Sequence, residues 1–222
     1  QCMPCRAAEL TKLAINGMLA TRISYMNEIA GLADTLGVDV EHVRQGMGAD
    51  TRIGFEYLYP GCGFGGPNFS RDLMRLADVQ SSSGRYSALL EQVMDINEQK
   101  KETLFRKLWG FFEGDLAGKT VAIWGAAFKP GTARIDHAPV LTLLEALWAQ
   151  GVTVKLHDPA AIPALYSAVG QRNDLMTFED DPYLACQGAA RVGAKTSTFE
   201  HDGPRDDKVA SHSASSASTR RS

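Results

Sequence analysis

The 222-residue sequence has no basic excess: 23 Lys and Arg stand against 26 Asp and Glu, for a formal net charge of −3. It therefore lacks the positive field that nucleic acid or an anionic membrane surface calls for, and neither is expected as a partner. It also lacks any apolar run near the ~20 residues of a membrane span. Its opening, QCMPCRAAEL, has no apolar core of the signal-peptide kind, so the cytoplasm is the expected location. Cysteine is scarce, and of Cys2, Cys5, Cys62 and Cys186 only the first two form a pattern. No second C-x-x-C or H-x-x-x-H completes a zinc set with Cys2-x-x-Cys5, so no metal is expected and the thiols read as reduced. What remains is ordinary: 44% hydrophobic and 22% charged residues suffice for one large or two small cored domains.

Helical periodicity runs unbroken and without proline from Ala7 to Thr35, with Gly37 as its stop. A short second helix is expected from Val40 to Met47 with Asp39 as N-cap. Residues 48–67, GADTRIGFEYLYPGCGFGGP, form a loop rich in glycine and aromatics, of a length that points to function. Helical spacing returns from Ser70 to Val79, breaks at Ser81–Gly84 and resumes from Arg85 to Phe112. Residues 1–113 thus read as an all-helical domain.

At Gly114 the pattern changes. Thr120–Trp124 reads as a buried strand, Pro139–Gln150 as a helix, Val152–Leu156 as a strand, and Asp158-Pro159 as a turn into a short helix. This β-α-β unit implies a parallel, doubly wound sheet with ligands at the carboxyl ends of its strands. The fold class expected is α plus α/β, with residues 114–190 forming an incomplete, Rossmann-like parallel-sheet domain after the helical one. No further strand is legible after Ala189, and residues 191–222, polar and Ser-rich, read as a disordered tail. Truncation or a shifted reading frame would give such an ending.

Lys12 and Asn16 stand one helical turn apart and project from one face, where both can converge on a single oxygen; a solvated lysine and an interior asparagine would look the same. Asp72 lies in the first turn of the helix after the glycine loop, where the helix dipole favours a carboxylate, as it would any N-terminal charge. Glycines such as Gly61 and Gly65 permit close backbone approach to phosphate or sugar, although a turn-rich surface loop also uses them.

Three segments, AELTKLAINGMLATRISYMNEIAGLADTLGVDVEHVRQGMGADTRIG, YLYPGCGFGG and GAAFKPGTARIDHAP, resemble in order and spacing the UDP-glucose/GDP-mannose dehydrogenase family over residues 7–188. The resemblance implies NAD-dependent oxidation of the C6 alcohol of UDP-glucose, or a related nucleotide-sugar, to a carboxylate through a cysteine-bound thioester. It assigns Lys12 and Asn16 to the C6 oxygen, and Asp72 with Lys12 to the water or proton step. Tyr57, Leu58, Tyr59, Gly61 and Gly65 fall in the loop that wraps the nucleotide-sugar, Lys129 contacts substrate, and Arg52 reaches the substrate of a neighbouring subunit.

Departures from the family pattern are expected to matter. Asn68 occupies the position of the nucleophilic cysteine in Gly65-Gly66-Pro67-Asn68-Phe69-Ser70-Arg71-Asp72, and an amide forms no thioester. Arg71, which replaces a lysine, and Asp136, which stands where an arginine approaches NAD, are by resemblance the cofactor-binding positions, with Arg134 near Asp136. The family's N-terminal NAD-binding domain, with its G-x-G-x-x-G, is not found in these residues. The expectation is a fragment or degenerate nucleotide-sugar dehydrogenase, dimeric through the long first helix; the alternative is a non-catalytic nucleotide-sugar-binding or dimerisation module.

Overall fold

The computed structural model describes residues 2–170 and 172–193. Helix α1 spans Cys5–Leu36, and ends because Gly37 adopts φ 66°, a left-handed turn that lets Val38 N–H donate to Ala33 O at 2.9 Å. Helix α2, Val40–Ala49, begins at Asp39, whose carboxylate accepts from Glu41 N–H at 2.9 Å. After the loop of residues 50–68 come α3, Phe69–Ser82, and α4, Ala88–Lys101. Gly17 of α1 leaves just enough room for Leu76 of α3 and Leu90 of α4, to which an added Cβ would sit at 3.4 and 3.6 Å. Ala20, Ile23, Phe64, Leu73, Leu76, Leu90 and Val93 close the helical core around this crossing.

The helix expected from Arg85 to Phe112 is two helices. It breaks at Glu102, and α5 runs Thr103–Phe111. The two halves serve different cores: Leu90 and Val93 face the helical layer, whereas Leu108, with Leu104 and Phe105, packs with the sheet. By packing, α5 belongs with the α/β unit, so the change of pattern at Gly114 falls after the change of core.

Among the described residues four parallel strands make the sheet, in the order β3-β2-β1-β4: β1 Thr120–Trp124, β2 Thr153–His157, β3 Met176–Phe178 and β4 Arg191–Gly193. Helices α6, Pro139–Ala149, α7, Ile162–Val169, and α8, Pro182–Cys186, join them. Val121 pairs with Val154 on one side and Arg191 on the other. A further strand after Ala189 therefore exists. It is only three residues long and carries no apolar run, so it left no pattern to read; β3 was missed for the same reason. The expected disordered tail lies, from residue 194 onward, outside the described residues.

Winding proceeds outward from β1 to β2 and β3, then returns to the other flank of β1 at β4. That reversal is a switch point, the place where open α/β sheets bind ligands. The segment 125–138 follows β1 there, and Asp158 fixes its head: one carboxylate oxygen accepts from Ala126 and Ala127 N–H at 2.7 and 3.2 Å, the other from Ala160 and Ala161 N–H at 2.8 and 2.6 Å. Burial pushes this carboxyl up, but the four amide hydrogen bonds outweigh burial and hold it below its ordinary value.

Candidate functional site

Five of the residues singled out from sequence come together. From α1, Lys12 Nζ and Asn16 Nδ2 both donate to Asp72 Oδ2, at 2.7 and 2.6 Å. Arg71 Nε donates to Asp72 Oδ1 at 3.0 Å, and its Nη2 to Asn68 Oδ1 at 3.2 Å. Asp72 is 1% exposed while Lys12 is 64% exposed, so the carboxylate is the buried anchor of the group and the ammonium its open end. Burial raises the Asp72 pKa, yet the hydrogen bonds from Lys12, Arg71 and Asn16 prevail and the net shift is downward. Asn68 sits at the N-cap of α3, its side chain capping nothing and exposed to solvent.

The glycine loop runs from this cluster toward the switch point. Tyr57 holds a positive φ of 60° and meets Phe69 edge-on at 6.3 Å. Leu58 is a core residue, and Tyr59 lies under the guanidinium of the buried Arg44 at 4.4 Å. Gly61 N–H donates to Asn27 Oδ1 at 2.7 Å, so that amide is already taken. Gly65 passes so near segment 125–138 that a Cβ there would lie 2.6 Å from His137 O, and Gly66 N–H donates to Asp136 O at 2.6 Å. The loop thereby joins the helical layer to the carboxyl end of β1. Strained backbone on both sides, at Tyr57 and at His137 (φ 50°), marks the same place.

Three expected residues stand apart from the cluster. Arg52, 86% exposed, is held by Asp50 at 2.6 Å, while Arg22 Nη2 donates to Ile53 and Gly54 O from α1. Lys129 is exposed beyond β1, its ammonium 5.7 Å from the Phe128 ring centre. Asp136 is paired two-pronged with Arg134, at 2.9 and 3.1 Å, and this neighbour holds its carboxyl below the usual range. The charge reversal at Asp136 is thus neutralised locally. Asp136 contributes no cation at the position where the resemblance expects an arginine to approach NAD, and Arg134 is paired with it two-pronged. The residues present do not fit that contact.

Sequence reasoning missed Asn27 and Asn97, both 1% exposed. Asn97 Oδ1 accepts from Phe64 N–H at 2.7 Å and its Nδ2 donates to Phe64 O at 3.0 Å. A signal existed: Leu90, Val93, Asn97 and Lys101 follow helical spacing, so a polar side chain falls on a core-facing stripe and must find partners there.

The sequence matches the UDP-glucose/GDP-mannose dehydrogenase family, central domain, over residues 6–99, and that family's UDP binding domain over residues 122–210. It is 47% identical over 188 residues to a UDP-glucose 6-dehydrogenase of Pseudomonas aeruginosa, covering 83% of this chain and 41% of that protein. To the UDP-glucose 6-dehydrogenase TuaD of Bacillus subtilis it is 37% identical, covering 82% of this chain and 38% of that protein. A UDP-glucose dehydrogenase structure from Pyrobaculum islandicum superposes with a TM-score of 0.80 at 32% identity, over 89% of this chain and 44% of the other. The chain thus spans about two fifths of the length of these relatives. Both matched regions and both architectural layers agree: the chain belongs to the UDP-glucose/GDP-mannose dehydrogenase family.

Proposed function

We propose that this chain supplies the nucleotide-sugar-binding and proton-handling part of a nucleotide-sugar 6-dehydrogenase, acting at the C6 position of UDP-glucose or a related nucleotide-sugar. The convergence of Lys12, Asn16 and Asp72 beside the glycine loop carries the reading. Two donors from one helix face meet at a single carboxylate oxygen, so they are already aimed at nearly one point. A sugar oxygen arriving beside Asp72 meets the remaining N–H donors of an ammonium and an amide, the groups that an oxygen gaining negative charge requires. Asp72, kept ionised at neutral pH by its three partners, is an acceptor that orients the proton of a hydroxyl or a water rather than a strong base.

Asn68 limits what this site does. Its amide nitrogen has no nucleophilic lone pair, so the carbon that a thiolate would capture stays uncaptured. Cys62 does not take over the role: it is buried, and burial pushes its thiol up to about 11. The family's nicotinamide cofactor would supply hydride acceptance, but the Asp136–Arg134 pair does not fit the cationic contact expected there. Outward-facing Ile15, Met18, Tyr25, Leu32 and Leu36, at steps of three, seven, seven and four residues, fall on one stripe of α1 and are exposed; their burial against the same helix of a second copy would make a twofold dimer, with Arg52 projecting toward that copy.

Isothermal titration of the chain with UDP-glucose tests the reading. Binding is expected, weakened about tenfold or more by Lys12→Ala and Asp72→Ala, a loss of about 1.4 kcal/mol. Absence of binding, or wild-type affinity in both variants, would overturn it.

A further inference from the structure

The glycine loop has no regular secondary structure, yet residues 61–66 are pinned at four backbone points. Gly61 N–H is held by Asn27, Gly66 N–H by the Asp136 carbonyl, and both polar groups of Phe64 by one side chain, Asn97. Asn97 gives Phe64 what a neighbouring strand would give: an acceptor for its N–H and a donor for its C=O. Both residues are 1% exposed, so no bulk water replaces these bonds if they are lost. Gly63, at φ 97°, presses on the same turn of α4, where an added Cβ would lie 3.1 Å from Asn97 O.

Phe64 is the junction between the two halves of the candidate site. Its ring meets Phe69 edge-on at 5.4 Å, and Phe69 opens the helix that carries Asp72. The residues after it, Gly65 and Gly66, lie against His137 and the Phe128 ring at the switch point of the sheet. Fixing the Phe64 backbone therefore fixes the distance between the Asp72 cluster and the loop before α6. Stability alone does not call for an asparagine there: it is a poor helix former, and on a core-facing stripe an aliphatic side chain buries more surface without a desolvation cost.

We propose that Asn97 is a positioning residue for nucleotide-sugar binding: without touching the ligand, it holds the glycine loop at the one register in which the helical cluster and the sheet's switch point face the same molecule. This inference rests on the function proposed above. Asn97→Ala removes both bonds. Asn97→Asp, of the same size, keeps an acceptor for Phe64 N–H but turns a second acceptor toward Phe64 O. Val93→Ala, one turn earlier on α4 and in the same core as Phe64, removes packing while leaving both Phe64 backbone bonds in place and serves as the control.

UDP-glucose titration and thermal melting of all three variants separate the roles. Both Asn97 variants should lose about tenfold or more in affinity, while Val93→Ala lowers the melting temperature and leaves affinity within about twofold. Wild-type affinity in both Asn97 variants, or an equal loss in Val93→Ala, would overturn the inference. Should wild type itself not bind UDP-glucose, the proposed function falls, and amide exchange in the ligand-free chain still decides about Asn97. Its replacement by alanine should speed exchange about tenfold across residues 63–66 and leave residues 18–30 unchanged; unaltered exchange in 63–66 would end the proposal.

Discussion

Replacing Asp158 by Asn, a change of one atom, should destabilise the α/β unit by about 3–5 kcal/mol. Each carboxylate oxygen serves two amides, and each pair includes one fully buried residue, Ala126 or Ala161. An asparagine has a single acceptor oxygen, so whichever way it turns, its NH2 faces two N–H donors. One fully buried donor left unpaired costs about 1–3 kcal/mol, and the two retained bonds lose charge assistance at about 1 kcal/mol each. Urea unfolding followed by tryptophan fluorescence is the assay, because Trp109, Trp124 and Trp148 all lie on α5, β1 and α6 around this sheet. The pH dependence gives a second check. The folded-state pKa of Asp158 is depressed from the ordinary 3.8, so its stabilisation is complete above that value and is lost as pH falls through the folded pKa below it. The gap between wild type and Asp158→Asn should accordingly be full at pH 7 and shrink below about pH 4. A loss under 1 kcal/mol at pH 7, or a gap that widens in acid, would refute the reasoning.

Gly65→Ala places a Cβ 2.6 Å from the His137 carbonyl and should cut UDP-glucose affinity at least about tenfold by titration. Gly46→Ala, in α2 with open space around it, should raise stability by about 0.5–1 kcal/mol in the same urea assay. The dimer proposed through α1 predicts a dimeric mass for wild type by light scattering and a monomeric one for Met18→Glu with Leu32→Glu, since both side chains lie on the exposed stripe of α1; a monomeric wild type, or a mass unchanged by the substitutions, would overturn that interface. Asn68→Cys puts a thiol at the N-cap of α3 within reach of Arg71, and its iodoacetamide labelling should titrate below the ordinary thiol value of about 8.5, while Cys62 stays unlabelled.

The long helix, its glycine stop, the Asp39 cap and the first strand were legible because each depends on local chemistry: periodicity, a left-handed glycine, an N-cap carboxylate and a buried β-rich run. The break at Glu102 was not, because it is imposed by two cores that the flanking residues enter from different sides. Strands β3 and β4, three residues each, are held by pairing with strands distant in sequence, which no short window shows. Within the candidate site, the one-turn spacing of Lys12 and Asn16 pointed to a shared target, and Asp72 occupies it. The supports of the glycine loop stayed hidden because Asn27 and Asn97 act through backbone groups 34 and 33 residues away.

The central claim is that one nucleotide-sugar bridges the Lys12–Asn16–Asp72 cluster and the loop after β1, and amide hydrogen exchange with and without UDP-glucose tests it most directly. Slowed exchange is expected in three places at once: residues 57–66, the first turns of α3 around Asp72, and the segment around Lys129. Slowing confined to one of these regions, or binding that leaves all three unchanged, would contradict it.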